Sequence, residues 1–89
     1  MPRVRKKTTR AWRSEARSNP EALHVIATLG HRIRELRRDK GMTQEALAES
    51  ASLSVQHLLD LEHGRSNPTL TSLIGIAKGL KVPIRELFA

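Results

Sequence analysis

The amino-acid sequence predicts an all-α domain of five helices, with a helix-turn-helix at its centre and a basic N-terminal extension. Three observations carry that prediction. Apolar residues recur at intervals of three and four, as in Leu23, Ile26, Leu29, Ile33 and Leu36, which is the period of an amphipathic helix. Asn19, Thr43, Ser54 and Thr69 each stand just ahead of such a segment, and all four are residue types that cap free N–H groups at a helix start. No stretch alternates apolar and polar residues as a strand would.

The first helix opens at Asn19-Pro20, a cap followed by proline at the first helical position, with Glu21 near the positive end of the helix dipole. Its stripe carries it to Asp39 or Lys40, where Gly41 is expected to close it as a left-handed cap. Gly30 weakens the middle by about 1 kcal/mol relative to alanine. A break there, dividing an extra N-terminal helix from the first helix of the domain, is therefore an open alternative.

The next two helices are short. Thr43 opens one, with Leu47 and Ala48 inward; Ser54 opens the other, with Leu58 and Leu61 inward. Ala51-Ser52-Leu53 leaves room only for a turn. Such a pair is the helix-turn-helix unit, whose second helix enters the DNA major groove. Small Ala48 suits a close crossing, while Leu47, Leu53, Leu58 and Leu61 supply bulk. Val55, Gln56, His57 and Asp60 are left on the outward face of the second helix, where they meet base edges if DNA is bound.

Arg65-Ser66-Asn67-Pro68 reads as a polar turn. Thr69 then caps a helix with Leu70, Leu73, Ile74, Ala77 and Leu80 on one face. Gly75 and Gly79 make that helix intrinsically poor, so packing must hold it. Pro83, at a first-turn position, starts a short final helix. The apolar set Val82, Ile84, Leu87 and Phe88 either closes the core or forms a dimer surface.

Charge is unevenly placed. Sixteen Lys and Arg against nine Asp and Glu give +7 over 89 residues. Residues 1–18 hold seven basic residues against Glu15 alone, so +6 of the total sits there. Residues 1–22 are read as a basic arm and 23–89 as the helical domain. The arm has too little apolar content to offset the entropy of ordering, and its charge suits a polyanion. Trp12 either stacks on nucleic acid or lies against the domain.

Other functions find little support. The chain has no cysteine, so no disulfide framework or Cys-based zinc site is available. His24 and His31 are two helical turns apart, too far to share a metal, and no metal or cofactor is expected. No nucleophile is matched to a base and no glycine loop cradles a phosphate, so catalysis is not expected. Without a long apolar run, no transmembrane span or signal peptide is expected either; the expected location is cytoplasmic, with no membrane partner.

From Leu29 to Phe88 the chain resembles the lambda-repressor-like (Cro/C1, XRE-type) helix-turn-helix family. The resemblance rests on Arg-Ile-Arg-x-Leu-Arg, Gly-Met-Thr-Gln, Leu-Ala, Leu-Ser, Leu-Glu-x-Gly-Arg, Asn-Pro-Thr-Leu and Val-Pro-Ile-x-Glu-Leu-Phe, in register. It implies a five-helix DNA-binding domain in which Val55, Gln56, His57 and Asp60 read bases. Gln56 would pair with adenine, His57 with a guanine acceptor, Asp60 with cytosine N4 and Val55 with a thymine methyl. It places Thr43, Gln44, Ser54, Arg65 and Asn67 at the DNA backbone, contacts that fix register without reading sequence. Gln44 is also expected to brace a recognition-helix side chain. Arg37 and Glu62 match a partly buried ion pair joining the first and recognition helices. Ser52 stands where the family often has a left-handed glycine, Ala46 where a glutamate often completes a capping box, and Leu59 at a position usually small or polar.

These features imply a sequence-specific regulator, expected to repress transcription as a homodimer on double-stranded DNA. An antitoxin, with the arm binding a toxin partner, is the alternative. A third reading is non-specific nucleic-acid binding through the arm.

Overall fold

The computed structural model describes residues 18–89. The expectations for the arm at 1–17, Trp12 among them, fall outside the described residues. Four α-helices follow in order: α1 (Pro20–Asp39), α2 (Gln44–Ser50), α3 (Val55–Glu62) and α4 (Leu70–Leu80), with a 3-10 helix at Ile84–Phe88. The class is all-α as expected, with five helical elements among the described residues, four of them α. Pro83 lies just outside the last element, not in its first turn, and no side chain caps that helix; a segment this short favours the tighter 3-10 winding.

Every α-helix starts and stops for a local reason. Asn19 Oδ1 accepts from the Ala22 N–H at 3.1 Å, Thr43 Oγ1 from Ala46 at 3.0 Å, Ser54 Oγ from His57 at 3.0 Å, and Thr69 Oγ1 from Ser72 at 3.1 Å. Each satisfies one amide that the first helical turn leaves unpaired. At the other ends Gly41, Ser52, Gly64 and Lys81 have φ of 68, 61, 68 and 60°. In each case this residue and the next donate back into the last turn. Gly41 N–H bonds the Arg38 carbonyl at 2.9 Å and Met42 N–H the Arg37 carbonyl at 3.0 Å. The pattern repeats at Ser52-Leu53, Gly64-Arg65 and Lys81-Val82, the paired closure that left-handed helix caps make. Two of the four left-handed positions carry a side chain, a conformation that costs about 1–2 kcal/mol outside glycine.

One core joins the elements. Ile33 of α1, Leu47 of α2, Leu58 of α3, Ile76 and Leu80 of α4, and Leu87 of the 3-10 helix are its largest fully buried side chains. Helix α1 packs on α3 and the 3-10 helix, and α2 packs between α3 and α4. Among the described residues no helix is long and apolar enough to cross a membrane.

Several expectations are corrected here. Helix α1 runs unbroken through Gly30. Its buried stripe begins at Ile26, and Leu23 is 42% exposed. On α4, Leu70 and Ile74 face outward, and the inward face is Ser72, Leu73, Ile76, Ala77 and Leu80. Gly75 explains this rotation: a Cβ there would lie 2.7 Å from the Ala51 carbonyl oxygen. The face containing Gly75 is thus the one that can approach α2, and that turns Leu70 and Ile74 away. The C-terminal apolar set divides. Leu87 is fully buried, Val82 and Ile84 lean on the core, and Phe88 is 56% exposed.

Candidate nucleic-acid interface

Helix α3 is seated before it presents anything. Leu58 and Leu61 are buried in the core, three apart on one face. Beside them α1 comes close enough that a Cβ on Gly30 would strike the Leu61 carbonyl oxygen and lie 2.8 Å from that of Glu62. The glycine that looked like a weakness in α1 is the notch in which the end of α3 rests.

A buried ion pair pins the same contact. Arg37 Nε donates to Glu62 Oε2 at 2.7 Å and Nη2 to Oε1 at 3.2 Å, with the Glu62 side chain wholly buried. Arg37 Nη1 also donates to the Met42 carbonyl at 2.9 Å, tying down the α1–α2 connection. Gln44 reaches in from the first turn of α2, its Nε2 3.4 Å from Glu62 Oε1. One carboxylate thus takes donors from α1 and α2 while itself belonging to α3. The α3 side chain that Gln44 reaches is thus that of Glu62, at the buried end of the helix.

The turn between α2 and α3 places Ser52 in the left-handed region at φ 61°, and Leu53 N–H bonds the Ala48 carbonyl at 2.8 Å. Thr43 and Ser54 use an oxygen lone pair to cap their helices. A capping hydroxyl keeps its own proton, so both retain a donor that a phosphate oxygen can accept. With alanine at position 46, the cap at Thr43 has no reciprocal side-chain bond.

The outward face of α3 is not four independent groups. Gln56 is exposed, and its Nε2 donates to Asp60 Oδ1 at 3.1 Å. Arg65, just past the helix, donates to that same oxygen from Nη2 at 3.1 Å and from Nε at 3.3 Å. Sequence spacing placed Gln56 and Asp60 one turn apart; the turn at Gly64 brings Arg65 back to them. His57 is half-buried beside Gln56. Val55 leans on the core, which leaves only part of it outward. Leu59 is half-buried. Asn67 is exposed on the loop after α3 and lines an apolar groove with Asn19, Val25, Pro68 and Phe88.

Two contacts here were not expected. Arg32, which residue spacing did not single out, donates from Nε to the Glu86 carbonyl at 2.8 Å and from Nη2 to Glu86 Oε1 at 3.1 Å. It clasps the 3-10 helix to α1. The Met42 carbonyl as a partner of Arg37 also left no trace in residue spacing. Among the described residues no cluster of His, Cys, Asp or Glu has the makings of a metal site.

Two short helices joined by a tight turn, the second held from behind and polar in front, define a helix-turn-helix domain. Residues 33–87 match the family described as Helix-turn-helix, and the chain belongs to it. It is 40% identical over 60 residues to an immunity repressor protein of Bacillus phage phi105, covering 67% of this chain and 42% of that protein. It is 39% identical over 59 residues to the HTH-type transcriptional regulator DdrOP3 of Deinococcus deserti, covering 66% of this chain and 46% of that protein. The chain thus spans less than half the length of either relative. Among solved structures, the restriction-modification controller protein C.AhdI from Aeromonas hydrophila superposes with a TM-score of 0.70 at 36% identity, over 71% of this chain and 96% of that one. The clp gene regulator ClgR from C. glutamicum superposes with a TM-score of 0.69 at 30% identity, over 72% of this chain and 83% of that one.

Proposed function

We propose that this chain is a sequence-specific double-stranded DNA-binding regulator of transcription, a repressor that acts as a homodimer in the cytoplasm. One observation carries the reading: α3 offers Gln56 and His57 outward from a seat fixed by Glu62, Arg37 and the Gly30 notch. A helix held this way enters the major groove as a unit, where each base pair shows a distinct pattern of donors and acceptors. Gln56, His57 and the outward part of Val55 read bases. Thr43, Ser54, Gln44, Arg65 and Asn67 contact the backbone and fix register. The relatives named as a repressor, a regulator and a controller protein support regulation as the purpose of binding.

One domain covers few base pairs, so a dimer would read two half-sites about one helical turn apart. The test is selection from random duplex DNA at ~150 mM salt, where purely electrostatic binding is already weak. A two-fold symmetric consensus is expected. Gln56→Ala should then lose ~1–3 kcal/mol at one base position of each half-site and relax the preference there. Scrambled DNA competing as well as the selected site would overturn the proposal.

A further inference from the structure

We infer that Asp60 is a positioning residue: it holds the Gln56 amide in the orientation that fits adenine and rejects guanine. The inference rests on Gln56 reading a base, as proposed above.

The geometry leaves the amide little choice. Asp60 Oδ1 receives Gln56 Nε2 at 3.1 Å and the two guanidinium nitrogens of Arg65 at 3.1 and 3.3 Å. Arg65 is itself anchored, because its backbone N–H bonds the Asp60 carbonyl at 2.8 Å. A carboxylate accepts and does not donate. If the amide of Gln56 turned over, its carbonyl oxygen would face that carboxylate oxygen. Nε2 therefore points at Asp60, and Gln56 presents its carbonyl and the second N–H outward.

That pair, one acceptor and one donor, complements adenine, whose N6 amino group donates and whose N7 accepts. Guanine shows two acceptors, O6 and N7, so the outward carbonyl would meet O6 with no proton between them. Asp60 thus sets preference at a base it does not touch.

The test compares the parent, Asp60→Asn and Asp60→Ala on the selected site and on the same site with the Gln56-read A·T replaced by G·C. The parent should favour adenine about tenfold or more. Asp60→Ala should bring the ratio to within about twofold, while Asp60→Asn, whose carbonyl still accepts, keeps most of it. In the free protein, nitrogen-resolved NMR should show one Gln56 side-chain amide proton shifted downfield by its bond to Asp60, and that proton should return to the position of a solvent-exposed glutamine only in Asp60→Ala. Alanine favours helix and the pair is partly exposed, so both variants should fold.

If both variants strengthen binding to every sequence and leave the ratio unchanged, Asp60 acts only as a charge near phosphates and the inference fails. If Asp60→Ala relaxes preference at a different base pair, Asp60 reads that base itself and the inference also fails. Failure of the underlying reading looks different: Gln56→Ala would then change preference nowhere.

Discussion

Arg37 and Glu62, 25 positions apart, are joined by two parallel hydrogen bonds at 2.7 and 3.2 Å in the interior between α1 and α3. Breaking such a pair strands a charge out of water, whereas an exposed pair costs little to lose. Arg37→Ala is expected to destabilise the domain by ~3–5 kcal/mol, a large share of the 5–15 kcal/mol typical of a domain. Urea unfolding midpoints measure this. Equal midpoints for variant and parent would mean that the pair contributes no stability.

Gly30→Ala separates propensity from packing by sign. Helix propensity alone gives a gain of about 1 kcal/mol. The structure drives the new methyl into the Leu61 carbonyl oxygen, and overpacking of that kind costs ~1–3 kcal/mol. A lower thermal midpoint is expected. A rise would show that α1 and α3 stand further apart than described.

At position 52 the sign reverses. Serine holds φ at 61° there, at about 1–2 kcal/mol, while glycine loses about 0.5–1 kcal/mol more freedom on folding. Ser52→Gly should therefore leave stability equal or raise it by up to ~1.5 kcal/mol. Ser52→Val should lower it clearly, since a β-branched side chain tolerates positive φ least. Calorimetry of both variants decides, and a gain for valine would refute the left-handed assignment.

The arm should act through charge alone. Removing residues 1–18 takes away +6 of the +7 net charge. Affinity is expected to fall for all sequences, and the slope of log K against log salt to flatten, as fewer counterions are released. The preferred sequence should not change. An altered consensus with an unchanged slope would mean that the arm reads DNA shape or bases.

Much of this was legible from residue types because it depends on local chemistry. Asn19, Thr43, Ser54 and Thr69 cap helices in whatever fold they enter, and each was identifiable from the apolar run that follows it. Gly41 likewise announced the end of α1. What stayed hidden depends on how helices meet. The period around Ile74 is right for a helix, but only the Gly75–Ala51 approach decides which way that face turns. Gly30 read as a helix fault because its reason lies on α3, some thirty positions away in the chain. In the candidate site, Gln56, His57 and Asp60 were apparent as outward residues. That Asp60 would be engaged by Gln56 and Arg65 required the left-handed turn at Gly64 to fold the chain back.

The two sides of α3 answer to different demands. Leu58, Leu61 and Glu62 face the core and hold the helix, while Gln56, His57 and Asp60 have no place among the core side chains. If α3 reads DNA as proposed, substitutions on the outer side would retune what is recognised without reopening the question of whether the chain folds. A small domain of this kind can therefore diversify its targets by exchanging a handful of surface letters on an unchanged chassis.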